Sequence, residues 1–338
     1  MAYRVHLIEA QASFEAQADE SVLDAATRAG VAMPHECTFG ACGTCRVKVM
    51  AGHVAYEELP MGLTPEEADE GYALACQARA QSDLELSVAS SRLLFAEPRR
   101  IHAIVHSIRP LTRDVLHMAL RFSAGEAPDF HPGQYLNICL PDGTTRSFSM
   151  ASKLSENTLD FHVRRVPGGR FTDTLLGDSA CIGTLVDVEA PLGRFCYHVE
   201  DWRPLVMVAT GTGLAPIKAI LESLFDDDAC PPVSLYWGMR TRDDLYLAHE
   251  IEAWATRLCE FNFVPVLSQS DAAWTGRRGY VQDAVVQDIP DLSEHAIYLC
   301  GSPVMIADAK RRFAAHGASA AHVYADVFTF QHQAVVTA

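Results

Sequence analysis

Four cysteines constrain the fold of this chain more than any other feature. Three of them stand in the short segment CTFGACGTC, in the order Cys-x4-Cys-x2-Cys, and the fourth stands further along in LACQ. One tight loop and one distant point can together surround two irons with thiolates, and this is the spacing of a [2Fe–2S] cluster. The predicted ligands are Cys37, Cys42, Cys45 and Cys76.

The loop that carries the first three cysteines also contains Gly40 and Gly43, which allow its backbone amides to turn inward toward the cluster sulfurs. A cluster of this kind carries one electron at a time. The sequence therefore predicts an electron-transfer protein. Because an iron–sulfur site needs a reducing compartment, we expect the scattered cysteines at 139, 181, 196, 230 and 259 to be unpaired.

Length and composition allow two or three domains with substantial cores, since the chain has 338 residues and is 49% hydrophobic. No stretch approaches the roughly 20 apolar residues that span a bilayer. The N-terminal segment MAYRVHLIEA lacks the basic start, apolar block and cleavage site of a signal peptide. We expect a soluble, cytoplasmic protein without a membrane partner, and a monomer.

The charge of −16 argues against a nucleic-acid partner, because there is no basic stripe to neutralise phosphates. Acid is concentrated in residues 1–95, where fourteen Asp and Glu face six Lys and Arg. A solvated helix face and a negative docking surface for a redox partner are both compatible with the densest part of this charge. That part is the run Glu66, Glu67, Asp69 and Glu70.

The chain divides into three successive blocks that differ in their pattern of hydrophobic residues. Residues 1–95 mix short strands such as Tyr3–Leu7 with one main helix after Ser21, and a β-grasp ferredoxin module is predicted. Residues 97–100, Glu-Pro-Arg-Arg, read as a connector. Short alternating segments within 96–202 predict an antiparallel β-barrel. Strands alternating with helices within 203–338 predict an α/β domain with a parallel sheet.

A glycine-rich turn follows an apolar strand and opens a helix in the third block. Its residues are Gly211, Thr212 and Gly213, with Pro216 just inside the helix. Free amides and the helix dipole could hold a pyrophosphate there. The third glycine of a dinucleotide fingerprint is missing, so an ordinary strand-to-helix turn is an alternative for these letters alone.

Two segments of the second block could bind a flavin. In Arg146-Ser147-Phe148-Ser149 the arginine could pair with a phosphate, the ring could stack on an isoalloxazine, and a hydroxyl could bond near its reactive nitrogen. The second segment, HVRRVPGGRFT at 162–172, could bind a pyrophosphate through amides and a hydroxyl. Its candidate residues are His162, Val163, Arg164, Gly169 and Thr172.

Two segments of the third block could lie beside a nicotinamide. Cys300 and Gly301 end a strand of the predicted parallel sheet, where ligands of such sheets bind, although a buried cysteine before a turn is the alternative. Near the C-terminus stands YADVFTF, with Asp326 and Phe328. An aromatic ring here could cover the flavin until nicotinamide displaces it, or the segment could be a packed tail.

Taken in order, these motifs resemble the iron–sulfur flavoprotein reductases of bacterial oxygenase systems, in which a ferredoxin is joined to a ferredoxin–NADP reductase-like module. The resemblance covers essentially the whole chain. It implies that the four cysteines bind the cluster, that Arg146 to Ser149 and the 162–172 segment bind FAD, and that the Gly211 turn and Arg240 bind the nicotinamide coenzyme. It also implies that three residues flank the site of hydride transfer, namely Ser149, Cys300 and Asp326.

The resemblance further implies electron flow from NADH to FAD, to the cluster and then to an oxygenase component or its Rieske ferredoxin, with an aromatic-ring dioxygenase or a multicomponent monooxygenase as acceptor. Reductases that donate to an iron–sulfur deoxysugar dehydrase are an alternative, which the segment around 263–292 favours. A ferredoxin-like carrier or redox sensor without turnover, and a free-flavin reductase, are alternatives of other kinds. Arg240 and Arg242 could grip the 2′-phosphate of NADPH, yet NADH is favoured because many relatives use it.

The chain departs from the family pattern at three positions. Phe148 replaces the more usual tyrosine, which keeps stacking and loses one hydroxyl. Ser302 replaces a common proline, and Asp326 stands where many relatives have glutamate. The last two departures put the affinity for the nicotinamide coenzyme in doubt, but none removes a required function.

Overall fold

Three sheets follow one another along the chain, one for each block. The computed structural model describes residues 2–88, 95–166 and 182–329. Within these residues the first large sheet has five strands and the other two have six each, and one further sheet has two short strands. The predicted fold class, a β-grasp module, an antiparallel barrel and an α/β parallel-sheet module, is confirmed. The exact domain boundaries remain predictions.

The first sheet has the order β2-β1-β7-β3-β5, with β1 and β7 parallel and the other pairs antiparallel. Helix α1 buries Val22, Leu23, Ala25 and Ala26 in the core of this module. Its strands and helices are β1 (Ala2–Leu7), β2 (Ala12–Gln17), α1 (Val22–Arg28), β3 (Arg46–Ala51), β4 (Val54–Ala55), α2 (Pro65–Asp69), β5 (Tyr72–Leu74), β6 (Arg79–Ala80) and β7 (Leu84–Val88).

The acidic run at 66–70 divides in the structure. Helix α2 begins with a capping box in which the Thr64 side chain accepts the Glu67 amide and the Glu67 carboxylate accepts the Thr64 amide. Glu67 is also buried, and its Oε1 lies 2.9 Å from Nη1 of Arg46. Glu67 is therefore a structural carboxylate, and both interpretations of the whole run as an exposed acidic face were wrong for this residue.

The second sheet is antiparallel, with the order β11-β10-β13-β8-β9-β12. A bridge between Met150 and Phe161 joins the two edge strands, so that the sheet curls into a barrel. Arg99 and Arg100 already belong to β8, so the predicted connector is shorter than its charge suggested. The strands are β8 (Arg99–Pro110), β9 (Val115–Phe122), β10 (Tyr135–Cys139), β11 (Thr145–Ser149), β12 (Thr158–Arg164) and β13 (Leu185–Leu192).

The third sheet is parallel, with the order β17-β16-β15-β14-β18-β19, and hydrophobic cores lie on both of its faces. The central strand β14 pairs with β15 on one side and β18 on the other, which makes a topological switch point where ligands of such sheets bind. Its elements are β14 (Leu205–Thr210), α3 (Leu214–Ser223), β15 (Val233–Met239), α4 (Ala248–Ala253), β16 (Phe261–Leu267), β17 (Arg277–Arg278), α5 (Val281–Asp288), β18 (Ala296–Gly301), α6 (Pro303–Ala314) and β19 (Val323–Val327).

Most strands that alternation predicted are present. The strands that were not predicted, β2, β4, β5, β6 and β17, include four of only two or three residues and one in the polar segment ASFEAQ. Such segments carry little periodicity, and pairing with neighbouring strands decides their conformation. Among the residues that the structure describes, no helix has the length and apolar character needed to cross a membrane.

Candidate functional site

A cleft of about 1660 Å³ is lined by residues from all three modules. The cluster loop contributes Cys37 and Cys42, the barrel contributes its strand β11, and the parallel sheet contributes the residues that follow β14 and β18. Candidate residues that are far apart in the sequence therefore face one space. Those on its wall are Cys37, Cys42, Arg146, Ser147, Phe148, Ser149, His162, Arg164, Gly211, Thr212, Arg240, Gly301, Asp326 and Phe328.

The cluster loop turns its amides toward sulfur, as its glycines predicted. The amides of Ala41 and Cys42 donate to Cys37 Sγ at 3.3 and 3.4 Å. The amide of Thr44 donates to Cys42 Sγ at 3.4 Å. Gly40 and Gly43 make this path possible, since they have φ angles of 79° and 86°, which residues with a Cβ rarely adopt.

The four predicted ligands form two sulfur pairs. Cys45 Sγ and Cys76 Sγ lie 3.2 Å apart, and the thiols of Cys37 and Cys42 are hydrogen-bonded. The bond from Cys42 lowers the pKa of Cys37 to about 5, whereas the bond to Cys37 and burial raise the pKa of Cys42. Two thiols for each of two irons, with amide donors beside them, fit a [2Fe–2S] cluster. No three His, Cys, Asp or Glu side chains in the described ranges converge on one point as a single metal ion would require.

Strand β11 brings aromatic and polar groups to the cleft in the way that flavin binding requires. Phe148 is half-buried against the barrel core and its neighbours Arg146 and Ser149 reach the same cleft. The Arg146 guanidinium donates to the carbonyl of Thr145 at 2.7 Å, and Ser147 Oγ donates to Oδ1 of Asn137 at 2.7 Å. A ring, a hydroxyl and a guanidinium on one wall fit FAD.

Ser149, Cys300 and Asp326 come together, although they were chosen from three separate motifs. Ser149 Oγ donates to Asp326 Oδ2 at 3.2 Å, and Cys300 Sγ lies 3.9 Å from the same oxygen. Burial, followed by the charge of Glu36, raises the pKa of Asp326 to about 7. Cys300 itself is fully buried behind this carboxylate and does not line the cleft, whereas Gly301 does. The predicted role of Cys300 beside the nicotinamide therefore stays a prediction.

The glycine-rich turn lies at the carboxyl end of β14. Gly211 to Gly213 form one 3-10 turn that leads directly into α3. Gly211 has a φ of 57°, and a Cβ on Gly213 would lie 2.3 Å from the carbonyl oxygen of Cys300. Only a glycine at 213 allows the turn to pack against β18 this closely. Gly211, Thr212 and Ala215 line the cleft at the start of the helix, a position that fits a pyrophosphate.

Strand β12 contributes His162 to the wall of the cleft, where its Nδ1 lies 3.1 Å from the hydroxyl of Tyr246. Burial lowers the pKa of His162 to about 3, so this imidazole is neutral at physiological pH. Val163 is fully buried in the barrel core. Its side chain does not reach the cleft, which leaves only its backbone for the predicted binding role.

Arg164 and Arg240 share one carboxylate that the sequence analysis did not single out. Asp114 Oδ2 accepts from Arg164 Nη2 at 3.1 Å and from Arg240 Nη2 at 3.2 Å. The barrel and the parallel sheet are therefore joined by an ion-pair network at the edge of the cleft. Arg240, a candidate for gripping a 2′-phosphate, already has an anionic partner.

The remaining candidates differ in position. Gly169 and Thr172 lie outside the described residues. Pro216 is buried within α3, below the surface of the cleft. The amide of Phe328 donates to the carbonyl of Gly301 at 2.8 Å, which holds its ring at the cleft wall beside the end of β18. Phe328 packs against the core of the parallel-sheet module, as the packed-tail interpretation expected, and a ring that covers the flavin stays a prediction.

Two further residues of the cleft had no assigned role. Tyr135 lines it from β10, and burial raises the pKa of its hydroxyl. Glu36 precedes Cys37 and is half-buried, with one carboxylate oxygen accepting the backbone amide of Arg194 and the other accepting Thr44 Oγ1 at 2.8 Å. Tyr135 ends the segment HPGQY at 131–135, another segment in which the chain resembles the family, and could have been suspected. Nothing in the sequence distinguishes Glu36 from the other acidic residues.

Three family models match successive parts of the chain. The 2Fe-2S iron-sulfur cluster binding domain matches residues 5–81, the oxidoreductase FAD-binding domain matches residues 102–197, and the oxidoreductase NAD-binding domain matches residues 207–311. The three matches follow the order of the three sheets.

Individual proteins match over nearly the full chain. The terephthalate 1,2-dioxygenase reductase component 2 of Comamonas sp. is 34% identical over 97% of this chain and 98% of its own length. The CDP-6-deoxy-L-threo-D-glycero-4-hexulose-3-dehydrase reductase of Yersinia pestis is 32% identical over 97% and 99%. The crystal structure of the Amycolatopsis cytochrome P450 reductase GcoB is similar with a TM-score of 0.70, at 33% identity over 97% of this chain and 99% of that one.

Proposed function

The chain belongs to the iron–sulfur flavoprotein reductases that join a [2Fe–2S] ferredoxin module to FAD- and NAD-binding modules, and on this premise we propose that it passes electrons from NADH to an oxygenase component. It is an NAD(P)H-dependent oxidoreductase, as the sequence predicted. Acting as the reductase component of an aromatic-ring dioxygenase or a multicomponent monooxygenase is the finer statement, which rests on the relatives and on the geometry of the cleft.

The shared cleft is the single observation that carries this proposal. Cys37 and Cys42, strand β11 and the Gly211 turn all face one space, although each belongs to a different module. A carrier protein or a redox sensor would need the cysteines alone. A free-flavin reductase would need the other two modules and no cluster loop. Only electron transfer through all three sites uses the whole arrangement.

The residues divide among the three groups as follows in this proposal. The four cysteines hold the cluster, Arg146, Phe148, Ser149 and the 162–172 segment hold FAD, and the turn at Gly211 holds the pyrophosphate of the coenzyme. When bound, these groups supply hydride acceptance and one-electron transfer, which protein side chains cannot perform. The protein contributes their positions and their electrostatic surroundings.

Ser149 and Asp326 have the most defined task among the protein's own groups. Their 3.2 Å hydrogen bond ties the barrel to the end of the parallel sheet at the point where the two walls of the cleft meet. Because Asp326 has a raised pKa, it carries less negative charge near neutral pH than an exposed carboxylate does. Phe328 lines the same cleft beside the end of β18. We assign no proton shuttle to these groups.

The ion pair of Arg240 supports NADH as the coenzyme. Asp114 already accepts a hydrogen bond from this guanidinium, so binding a 2′-phosphate would have to displace or share that carboxylate. Steady-state kinetics with both coenzymes should show a higher kcat/KM for NADH, and a large preference for NADPH would refute the assignment. The Asp114→Asn variant should lower the preference for NADH over NADPH, because Arg240 would then be free to bind the 2′-phosphate.

A second acceptor has a specific observation in its favour. The Yersinia relative is named as the reductase of a CDP-sugar dehydrase, and it matches this chain almost as well as the dioxygenase reductase does. Donation to an iron–sulfur dehydrase would use the same cleft and the same cluster. Both candidates use the same cofactors, so the residues of the cleft do not distinguish the two.

The experiment that tests the proposed function combines a cofactor count with two acceptors. The purified protein should contain iron, sulfide and FAD and should reduce cytochrome c with NADH. It should then sustain turnover of a Rieske-type dioxygenase in place of that enzyme's own reductase. Turnover of a CDP-sugar dehydrase alone would favour the second candidate, and a protein without flavin or without cluster would refute both.

A further inference from the structure

A lysine of the nucleotide-binding module is buried against the cluster loop. Lys310 lies on α6, near the end of the chain, and only 6% of its surface is exposed. Its ammonium donates to the carbonyl of Cys42 at 3.0 Å and to the carbonyl of Gly62 at 3.3 Å. A residue 268 positions away from Cys42 therefore contacts the backbone of a predicted cluster ligand.

Burying a lysine in this position costs free energy unless a favourable interaction of its charge offsets the cost. Burying an ammonium is unfavourable even when carbonyl oxygens accept its hydrogen bonds, because these compensate only part of the lost hydration. Within the described residues no carboxylate lies within ion-pair distance of Lys310. The Glu67 carboxylate attracts the ammonium only from a greater distance. A loop that holds two irons, two sulfides and four thiolates carries net negative charge, which an adjacent ammonium would balance.

The surrounding structure is shaped to admit the ammonium. A Cβ on Gly43 would lie 2.7 Å from Nζ of Lys310, so the absence of a side chain at 43 leaves the space that the ammonium occupies. The amide of Gly62 donates to the carbonyl of Gly40 at 2.7 Å, which ties the 60–62 segment to the cluster loop. The Lys310 ammonium therefore binds two backbone segments at once, the cluster loop at Cys42 and the 60–62 segment at Gly62.

Further bonds hold the loop in the same place. Arg46, which follows Cys45, donates to the carbonyl of Ala320 in the nucleotide-binding module. On the other side, Glu36 accepts the backbone amide of Arg194 from the barrel. The loop is thus attached to both other modules. The charge of Arg46 is paired with Glu67, whereas Lys310 brings to the loop a positive charge that has no ion pair within the described residues.

We propose that Lys310 is a positioning residue for electron transfer, which fixes the cluster loop against the nucleotide-binding module and stabilises the reduced cluster through its charge. This inference rests on the proposed function and deepens it. Loss of the charge should lower the reduction potential of the cluster, since net charge and hydrogen bonding around the sulfurs set that potential. Loss of the bonds should loosen the loop.

The test compares Lys310→Met and Lys310→Arg in the full-length protein, with Lys153→Met, an exposed lysine of the barrel, as the matched control. The measurements are the cluster midpoint potential, amide hydrogen exchange at 40–45 and 60–62, and the rate of cluster reduction after mixing with NADH. We expect Lys310→Met to lower the reduced-to-oxidised ratio of the cluster about tenfold at a given potential, which is 59 mV for one electron. Exchange should become faster, cluster reduction should slow by about tenfold, and NADH should still reduce the flavin at the wild-type rate.

The outcomes separate this inference from others. Lys310→Arg should restore the potential, because it keeps the charge. If Lys310→Met matched Lys153→Met, or if exchange rose while the potential stayed unchanged, the inference would be overturned and Lys310 would be an ordinary contact between modules. If Lys310→Met failed to assemble a cluster, Lys310→Gln, which keeps a donor without the charge, would take its place with the same expectation for the midpoint potential and a smaller change in hydrogen exchange.

Failure of the proposed function would look different. It would appear in the wild-type protein itself, as no reduction of flavin or cluster by NADH. Hydrogen exchange of the cluster-free protein would then still report whether Lys310 holds the loop.

Discussion

The cluster loop and the nucleotide turn are similar in composition but are held in place in different ways. Both present backbone amides from a glycine-containing segment, around Cys37–Cys45 in one case and Gly211–Gly213 in the other. The nucleotide turn is held by its own sheet, since Gly213 packs on the end of β18 and Trp237 Nε1 of β15 donates to the carbonyl of Gly211 at 3.0 Å. The cluster loop is held in addition by two other modules, through Lys310 and Glu36.

The difference shows what each site depends on. A turn that neighbouring strands of one sheet position should tolerate changes elsewhere in the molecule and respond sharply to changes within that sheet. A loop attached to distant modules should be sensitive to residues far away in the sequence. The following predictions test this contrast, beginning with the largest expected effect.

Replacing Cys76 by alanine should abolish the function of the cluster site and leave that of the nucleotide turn intact. The cluster loses one of four ligands, so visible cluster absorbance and cytochrome c reduction should fall to background. Reduction of the flavin by NADH should survive, because the nucleotide turn has its own support. Absorbance spectra and anaerobic stopped-flow mixing measure the two steps. The exposed Cys259→Ala variant should behave as the wild type. If Cys76→Ala lost flavin reduction as well as cluster reduction, the two sites would not be supported independently.

Gly213→Ala should damage the nucleotide turn and spare the cluster. Its Cβ would meet the carbonyl of Cys300 at 2.3 Å, so the turn or β18 must shift. Overpacking of this kind typically costs about 1–3 kcal/mol, which corresponds to a rise of roughly 5- to 150-fold in the Kd for NAD+. Titration of the oxidised protein with NAD+ under equilibrium conditions, together with an iron count, would check this. An unchanged Kd would mean that the close approach to β18 does not shape the turn.

Trp237→Phe should have a smaller effect of the same kind. The ring remains but the hydrogen bond to the Gly211 carbonyl is lost, and one such bond contributes about 1 kcal/mol. We expect the KM for NADH to rise about fivefold with kcat nearly unchanged. Trp202→Phe, which alters an exposed tryptophan of the linker before β14, is the matched control. A fall in kcat without a change in KM would contradict the assigned role.

Asp326→Asn should have the smallest effect on electron transfer, and its effect on stability should depend on pH. The folded protein keeps a proton on Asp326 up to about pH 7, whereas the ordinary carboxyl value is 3.8. Between these values the unfolded chain binds fewer protons than the folded one, so the contribution of Asp326 to stability falls as pH rises.

Asparagine does not titrate, so the Tm of Asp326→Asn relative to the wild type should increase from about pH 4 to pH 7 and then level off. Thermal unfolding across this range measures the difference, with Asp228→Asn as an exposed control. A difference in Tm that stays constant with pH would show that Asp326 has an ordinary pKa in the folded protein.

The sequence was informative where local pattern decides structure. Cysteine spacing predicted the cluster loop, and alternation predicted most strands of the barrel and the parallel sheet. The family resemblance placed Ser149 and Asp326 at one site, which strand order alone could not do, but their hydrogen bond was not predicted. Lys310 looked like any polar residue of an amphipathic helix, and Glu67 looked like part of an acidic surface. Their burial arises from packing between modules, which leaves no periodic signal in the sequence.

The most direct test of the account is an anaerobic titration with NADH, followed by flavin absorbance and by electron paramagnetic resonance of the cluster. The same protein is measured with its flavin and after the flavin has been removed. The account predicts that NADH reduces both centres in the complete protein and leaves the iron oxidised once the flavin is absent. Reduction of the cluster at the same rate without flavin would contradict it.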